Sequence, residues 1–174
     1  PVAIVRGEAW IVPGAGGPTR LGPGDTAIVG GTDQECRGAG LMREHEADAV
    51  VHLAAIVEPP KGMSEDELED VEVGGTRRVV DACVAAGVGH LTVTSSGAAY
   101  GYHSRNDGRM LTEDQPVTGS DAFAYSRHKA AVEALLARAR RLHPEVGQLV
   151  LRPGAILGAD TDNQITALFT GRVV

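Results

Sequence analysis

Short apolar runs alternate with long helical segments over most of this chain, and that alternation is the strongest constraint on its fold. The runs at residues 48–53, 90–94 and 148–152 have the length and nearly continuous hydrophobicity of buried parallel strands. Parallel neighbours need a crossover connection, which is right-handed in almost all proteins. The sequence therefore predicts an α/β fold in which a parallel sheet is flanked by helices.

The two crossover segments carry helix start and stop signals. Ser64 and Glu67 can form a capping box at the start of the first helix, and Gly87 can end it. The second helix is predicted from about residue 121 to residue 142, because Pro144 cannot continue it.

Residues 1–38 have a different rhythm. Apolar residues alternate with other residues over positions 2–11, and glycine-rich turns follow at 13–18 and 22–25. This pattern predicts short strands joined by tight turns. We therefore divide the chain into a β-hairpin-rich segment and an α/β core at residues 39–174.

Composition excludes several classes of function. A hydrophobic share of 43% in 174 residues supports a genuine core, whereas a net charge of -7 argues against nucleic-acid binding, which depends on clustered Lys and Arg. Cys36 and Cys83 lie far apart, so the sequence predicts neither a disulfide framework nor a metal site. The few cysteines favour a reducing cytoplasm, and with no membrane-length apolar run we expect a protein that does not enter a membrane.

Three polar or small-residue segments follow the predicted strands: Ala54-Ala55, Ser95-Ser96 and Arg152-Pro153-Gly154. Ligands of open parallel sheets bind beyond the carboxyl ends of the strands. We therefore expect these segments to converge on one cleft.

Tyr125 and Lys129 are four residues apart on the second predicted helix, so they share one face. An ammonium beside a phenol favours the ionised form, which suits the phenol to proton transfer. Ser96 could then hydrogen-bond the substrate oxygen whose proton Tyr125 takes or gives. The structural alternative is an aromatic ring stacked under a lysine stem on an amphipathic helix.

These motifs together resemble the extended short-chain dehydrogenase/reductase family, the NAD-dependent epimerase/dehydratase group. The resemblance runs from about Leu41 to the C-terminus. Its motifs, in order, are His52-Leu-Ala-Ala55, Gly75-Thr76-Arg-Arg-Val-Val80, Gly87-Val-Gly-His-Leu-Thr-Val-Thr-Ser-Ser96, Ala99-Tyr-Gly101, Tyr125-Ser-Arg-His-Lys129 and Leu151-Arg-Pro153. The resemblance implies a partial Rossmann-like sheet.

The resemblance also implies a set of roles. Tyr125 would be the catalytic acid/base, Lys129 would bind the nicotinamide ribose of NAD or NADP, and Ser96 would orient the reacting carbonyl or hydroxyl. The other cofactor-binding residues would be Leu53, Ala54 and Ala55 on the adenosine side, with Arg152 and Pro153 near the nicotinamide. The substrate would be a small carbinol or sugar-like molecule. A homodimer through the two long helices would be expected.

Two features of the sequence depart from that family. No Gly-x-x-Gly-x-x-Gly turn stands upstream of the motifs, so the usual first βαβ unit is missing and we expect poor NAD(P) affinity. Glu72 stands where the family often has asparagine, and it either disturbs a proton relay or is a surface glutamate.

The first thirty-odd residues resemble part of a cupin barrel, on Arg6-Gly-Glu-Ala-Trp-Ile-Val12 and Leu21-Gly-Pro-Gly-Asp25. A complete cupin is not predicted, because no histidine precedes His45. Two further hypotheses stay open: a non-catalytic ligand-binding or regulatory module, and a rearranged fusion without evolved activity.

Overall fold

A computed structural model describes residues 4–5, 8–11, 19–20, 34–53, 55–56 and 59–155, with side chains from residue 38 onward. Its strands are β1 (Ile4–Val5), β2 (Glu8–Ile11), β3 (Thr19–Arg20), β4 (Ala49–His52), β5 (His90–Thr94) and β6 (Gly147–Leu151). Its α-helices are α1 (Gln34–Glu44), α2 (Glu65–Glu69), α3 (Gly75–Ala86) and α4 (Ala124–Leu142). A π-helical turn, Asp70–Gly74, joins α2 to α3, and two 3₁₀ turns, Gly97–Tyr100 and Ser104–Asn106, follow β5.

Strands β4, β5 and β6 form a parallel sheet in that order. Ala49 pairs with His90, and His90 pairs with Gly147, so the three strands are in register at their first residues. Leu91 and Val93 of the central strand are buried, as are Val50 of β4 and Leu136 of α4. The predicted α/β fold, a parallel sheet flanked by helices, is confirmed.

Strands β1, β2 and β3 form a second, antiparallel sheet. Ile4 pairs with Ala9, and Trp10 pairs with Arg20. The glycine-rich turns predicted at 13–18 and 22–25 lie outside the described residues. The domain boundary at residue 38 stays a prediction, and α1, which includes that position, is not foreseen in the sequence.

Helix α1 packs in the same core as α3. Ala39 and Met42 are its buried apolar residues, and the Arg43 guanidinium donates a 2.8 Å hydrogen bond to the Ala85 carbonyl near the end of α3. Gly38 and Gly40 interrupt its apolar pattern, because glycine has no side chain to bury.

The first crossover begins and ends where the sequence predicts, but it is not one helix. The Ser64 hydroxyl accepts from the Glu67 amide at 3.2 Å, and the Glu67 carboxylate accepts from the Ser64 amide at 2.8 Å. These hydrogen bonds lower the pKa of Glu67. Gly87 ends α3 with a φ of 72°, a left-handed conformation that glycine adopts without strain. Between these ends, the π-helical turn changes which side chains face inward.

The second crossover helix begins at Ala124, three residues later than predicted. Its N-cap is Phe123, an extended residue that has no side-chain capping bond. The sequence therefore lacks the Ser, Thr, Asp or Asn signal that usually marks a helix start. Within the described part of the chain, no helix is long and apolar enough to cross a bilayer.

Two glycines hold the long loop between β5 and α4 together. Gly101 has a φ of 84° and Gly119 a φ of 63°, and the Gly119 amide donates to the Ala99 carbonyl at 2.9 Å. A Cβ atom on Gly101 would overlap the Gly119 carbonyl oxygen and the His103 ring. This close approach brings the turn after β5 against the residues that precede α4.

Substituting Gly101 with alanine is expected to destabilise the protein by about 3 kcal/mol, because the substitution combines an unfavourable φ with a backbone clash. Gly108→Ala is the matched control: its φ is 64°, but a Cβ there meets nothing within 4 Å, so we expect a loss of only about 1 kcal/mol. Urea denaturation measures both values. Equal losses would contradict the role given to the Gly101 contact.

Candidate active site

The predicted site residues lie at the carboxyl end of the parallel sheet and on the first turns of α4. Ser96 follows β5, Arg152 and Pro153 follow β6, and Tyr125 is the second residue of α4. Leu53 and Ala55 follow β4 and are exposed, while Ala54 lies outside the described residues. Contacts between these strand ends and α4 form the site.

Lys129 and Tyr125 lie together on α4. The Lys129 ammonium is 5.4 Å from the centroid of the Tyr125 ring. Tyr125 is half-buried, whereas Lys129 is buried. The ammonium thus lies over the face of the Tyr125 ring, and a phenol hydroxyl is a group that can take or give a proton.

Glu72 is the counter-ion of Lys129. Its Oε2 lies 3.2 Å from Lys129 Nζ, and the two side chains are each 3% exposed. Its Oε1 accepts a hydrogen bond from the Ile56 amide, just beyond β4. The surface position considered for Glu72 in the sequence is wrong, because the π-helical turn carries this carboxylate inward. One buried ion pair thus joins the end of β4, the π-helical turn and α4.

His52 extends this arrangement beneath the ion pair. Thr76 Oγ1 donates to the Glu72 carbonyl at 2.8 Å and lies 3.1 Å from His52 Nε2. Since the threonine hydroxyl has one hydrogen and gives it to the carbonyl, His52 Nε2 must be the donor to Thr76. Burial, helped by the charge of Lys129, lowers the pKa of His52 from 6.5 to about 3, so the ring is neutral.

Ser96 caps the 3₁₀ turn that follows β5. Its Oγ accepts from the Ala98 amide at 3.1 Å, so its hydroxyl hydrogen can still donate. The Ser126 hydroxyl donates to the Ala98 carbonyl at 2.6 Å. Because Ser126 follows Tyr125 on α4, this bond fixes the Ser96 turn against the helix turn that carries the phenol.

Arg152 is committed to protein partners. Its Nη2 and Nε donate to the Glu133 carboxylate at 2.6 and 2.9 Å, and its Nη1 donates to the Tyr100 hydroxyl at 2.7 Å. The hydrogen bond to Glu133 is the main cause of its raised pKa. The Ser95 hydroxyl also donates to Glu133 at 2.6 Å. Arg152 therefore links the end of β6 to α4 and to the turn after β5. Its contact with the cofactor stays a prediction.

Pro153 contributes through its backbone. Its carbonyl accepts from the Gly97 amide at 2.9 Å, one residue after Ser96. The Ser95 amide donates to the Leu151 carbonyl at 2.7 Å. The strand ends of β5 and β6 therefore stay paired up to the candidate catalytic serine.

Sequence reasoning missed the buried carboxylate Glu133. The signal was present, because Glu133 is four residues after Lys129 and eight after Tyr125, which places all three on one helix face. Glu72 and His52 were visible as residues, but their burial depends on the π-helical turn, which no spacing rule reveals.

Potential metal ligands and the cysteine were also located among the described side chains. No group of three or more His, Cys, Asp or Glu side chains is arranged to hold a metal ion in that part of the chain. Cys83 is a free, buried cysteine of α3, and its burial raises the pKa of the thiol to about 12. A neutral thiol of this kind is inert at ordinary pH.

The structure combines a parallel sheet with Tyr125 and Lys129 on the helix beside its carboxyl end, and comparison with known families identifies the class of α/β protein. Residues 21–173 match the NAD dependent epimerase/dehydratase family. The chain belongs to that family, as its motifs predict.

Curated relatives and solved structures agree with this assignment. The chain is similar to the decarboxylating sterol-4-alpha-carboxylate 3-dehydrogenase of Saccharomyces cerevisiae, with 32% identity over 67% of this chain and 32% of that protein. It is similar to human 3 beta-hydroxysteroid dehydrogenase type 7, with 30% identity over 86% of this chain and 40% of that protein. The structure of UDP-glucose 4-epimerase from Brucella ovis in complex with NAD matches with a TM-score of 0.61 and 26% identity, over 77% of this chain and 40% of that one. The chain thus spans well under half the length of these proteins.

Removing the Lys129 charge is expected to destabilise the protein through Glu72. Lys129→Met would leave a buried carboxylate without its counter-ion, at a cost of about 3 kcal/mol. The double substitution with Glu72→Gln removes both charges and should recover most of that loss. Lys61→Met, at an exposed lysine, is the matched control and should change little. Urea denaturation tests the series, and a double variant as unstable as Lys129→Met would contradict the ion pair's role.

Acidification is expected to weaken the fold through His52. Since the pKa of His52 falls from 6.5 to about 3 on folding, the unfolded chain binds more protons between these values. The stabilisation is complete above pH 6.5 and is lost as the pH falls towards 3, by at most about 1.4 kcal/mol per pH unit. Between about pH 5 and pH 7, the free energy of unfolding measured by urea denaturation should change less with pH in His52→Gln than in the native chain. If the free energy of unfolding of both proteins changes equally with pH, the lowered pKa of His52 is refuted.

Proposed function

We propose that this chain carries the catalytic residues of an NAD(P)-dependent oxidoreductase acting at a secondary carbinol carbon. The observation that carries the proposal is the Lys129 ammonium, held by Glu72 beside the Tyr125 ring at the carboxyl end of the sheet. Membership of the NAD dependent epimerase/dehydratase family supports it.

In this proposal, Tyr125 is the acid/base. Its hydroxyl takes the proton of the substrate hydroxyl during oxidation and returns it during reduction. The Lys129 charge stabilises the phenolate while the proton is away. Ser96 donates its hydroxyl hydrogen to the same substrate oxygen, which orients the carbinol and stabilises the negative charge that develops there.

The residues around Lys129 fit the nicotinamide end of the cofactor, which supplies the hydride acceptor when it is bound. An ammonium has three donors, and Glu72 accepts one of them, so Lys129 can also hold ribose hydroxyls. Leu53, 45% exposed, and Ala55 offer apolar surface beyond β4 for the adenosine side. No Gly-x-x-Gly-x-x-Gly turn occurs in the sequence, so this chain alone is expected to bind the pyrophosphate weakly.

Among the reactions of the family, we favour simple dehydrogenation. The two sequence relatives described above are named as dehydrogenases of sterol or hydroxysteroid substrates. The structural relative is named as an epimerase, and epimerisation, like dehydrogenation, takes place at a carbinol carbon. Epimerisation or dehydration is therefore the alternative reaction.

The assembly and the location are further parts of the proposal. Helices α3 and α4 leave a groove on their outer side, lined by exposed Ala134, Arg138 and Leu142 among others. A second copy packing its own α3 and α4 into this groove would form the homodimer that the family resemblance implies. A cytoplasmic location rests on the composition and cysteine content alone.

Tyr125→Phe is expected to lower kcat by about a thousandfold, because it removes the proton-transfer group and keeps the ring. Ser96→Ala should lower kcat by about a hundredfold, and Ser104→Ala, at an exposed serine outside the site, is its control. Turnover is followed by NADH absorbance with a panel of secondary alcohols, and NAD binding by calorimetry. Activity that survives Tyr125→Phe, or no turnover of any carbinol at saturating NAD, would overturn the proposal.

A further inference from the structure

Half of the aromatic side chains of this chain lie in one surface row. The sequence contains 1 Trp, 3 Tyr and 2 Phe, and three of these six form the row: Tyr102, Phe123 and Tyr125. With only six aromatic residues in the chain, the grouping of three at one surface position is unusual. Their concentration at one place therefore calls for a reason in function or packing.

The three rings form a continuous surface that ends at the candidate acid/base. The centroids of Tyr102 and Phe123 are 5.9 Å apart, and those of Phe123 and Tyr125 are also 5.9 Å apart. Tyr102 is 70% exposed and Phe123 is 45% exposed, so packing against the core does not account for them. Their apolar faces are available to a ligand that reaches Tyr125.

The backbone beneath the row is held rigidly. The Tyr102 amide donates to the Ser120 hydroxyl at 2.7 Å, and the Phe123 amide donates to the Ser120 carbonyl at 3.1 Å. The glycine contact between Gly101 and Gly119 fixes the same two segments one residue earlier. The row is therefore formed before a ligand arrives, which lowers the entropic cost of binding.

Phe123 also occupies a position where helix stability favours another residue. It is the N-cap of α4 and makes no capping hydrogen bond, although Ser, Thr, Asp or Asn would stabilise the helix there. Stability of α4 alone does not explain a half-exposed phenylalanine at this position, whereas contact with an apolar ligand does.

The two cations on the first turns of α4 are already paired with carboxylates. Arg127, on the first turn of α4, donates to the Glu65 carboxylate and to the Asp121 carbonyl. Lys129 is paired with Glu72. Since each of these two cations already has a carboxylate partner, neither is an unpaired cation that would favour a diphosphate. Flat apolar rings, in contrast, match the aromatic surface.

We propose that Tyr102 and Phe123 form the apolar wall of the substrate site, and that the substrate is a fused-ring secondary alcohol of the hydroxysteroid class. This inference rests on the proposed oxidoreductase function, because it places the carbinol of that substrate at Tyr125. The wall holds the ring system, and Tyr125 and Ser96 meet the hydroxyl.

Binding of radiolabelled dehydroepiandrosterone, a 3β-hydroxysteroid, to the full chain with NAD tests the proposal by equilibrium dialysis. Phe123→Ala and Tyr102→Ala should each raise the Kd about tenfold, by loss of aromatic contact. Phe123→Trp, which keeps an aromatic ring, should bind like the native chain and shows that the alanine effect is not unfolding. Met110→Ala removes a side chain that is 93% exposed and outside the row, so it is the matched control.

The outcomes separate this inference from the proposed function. Tyr125→Phe should keep steroid binding and lose turnover. If steroid binding depends on Tyr102 and Phe123 but the native chain shows no turnover, the apolar wall is supported and the proposed oxidoreductase function is refuted. The chain could instead turn over UDP-glucose in a way that depends on Tyr125 and is unchanged in Tyr102→Ala and Phe123→Ala. That result would support the oxidoreductase function and overturn the apolar wall. Equal steroid Kd values in all variants would also overturn it.

Discussion

The ion pair between Lys129 and Glu72 is the interaction on which the site depends. Removing two charges from water is costly, and the cost is recovered only if each charge finds its partner and further hydrogen bonds. Glu72 meets this condition with Lys129 on one oxygen and the Ile56 amide on the other. Because these partners belong to α4 and to the end of β4, the charges can be satisfied only when both are in place. The same requirement places an ammonium beside the Tyr125 ring.

The π-helical turn is what allows a glutamate to take part. An ordinary helix from Ser64 to Ala86 would keep one face inward throughout, whereas a π-helical turn shifts the phase of the side chains that follow. Here Glu72 is buried within the turn, and its carbonyl accepts from Thr76, which in turn accepts from His52. A local backbone irregularity thus supplies both the counter-ion of Lys129 and a neutral histidine beneath it.

Sequence reasoning reached the elements whose signals are local. The apolar runs predicted β4, β5 and β6 to within about two residues, Ser64 and Gly87 marked the ends of the first crossover, and the family motifs led to the correct family. It failed where a signal was absent or distant. Helix α1 has glycines in its apolar pattern, and α4 starts without a capping side chain. The burial of Glu72 depends on a partner 57 residues away, which periodicity cannot reveal.

Two buried carboxylates fix the rotation of α4, and this separates the support of Tyr125 from the exposed residues of the proposed substrate wall. Lys129 is held by Glu72, while Glu133, one turn further along the same helix, holds Arg152 and Ser95. Both contacts lie on the inner side of α4 and determine where Tyr125 stands. Tyr102 and Phe123 lie on exposed surface near the start of that helix and contribute to neither contact. Side chains such as Phe123 can therefore change without displacing Tyr125, the proposed acid/base, because the position of Tyr125 depends on charges buried behind it.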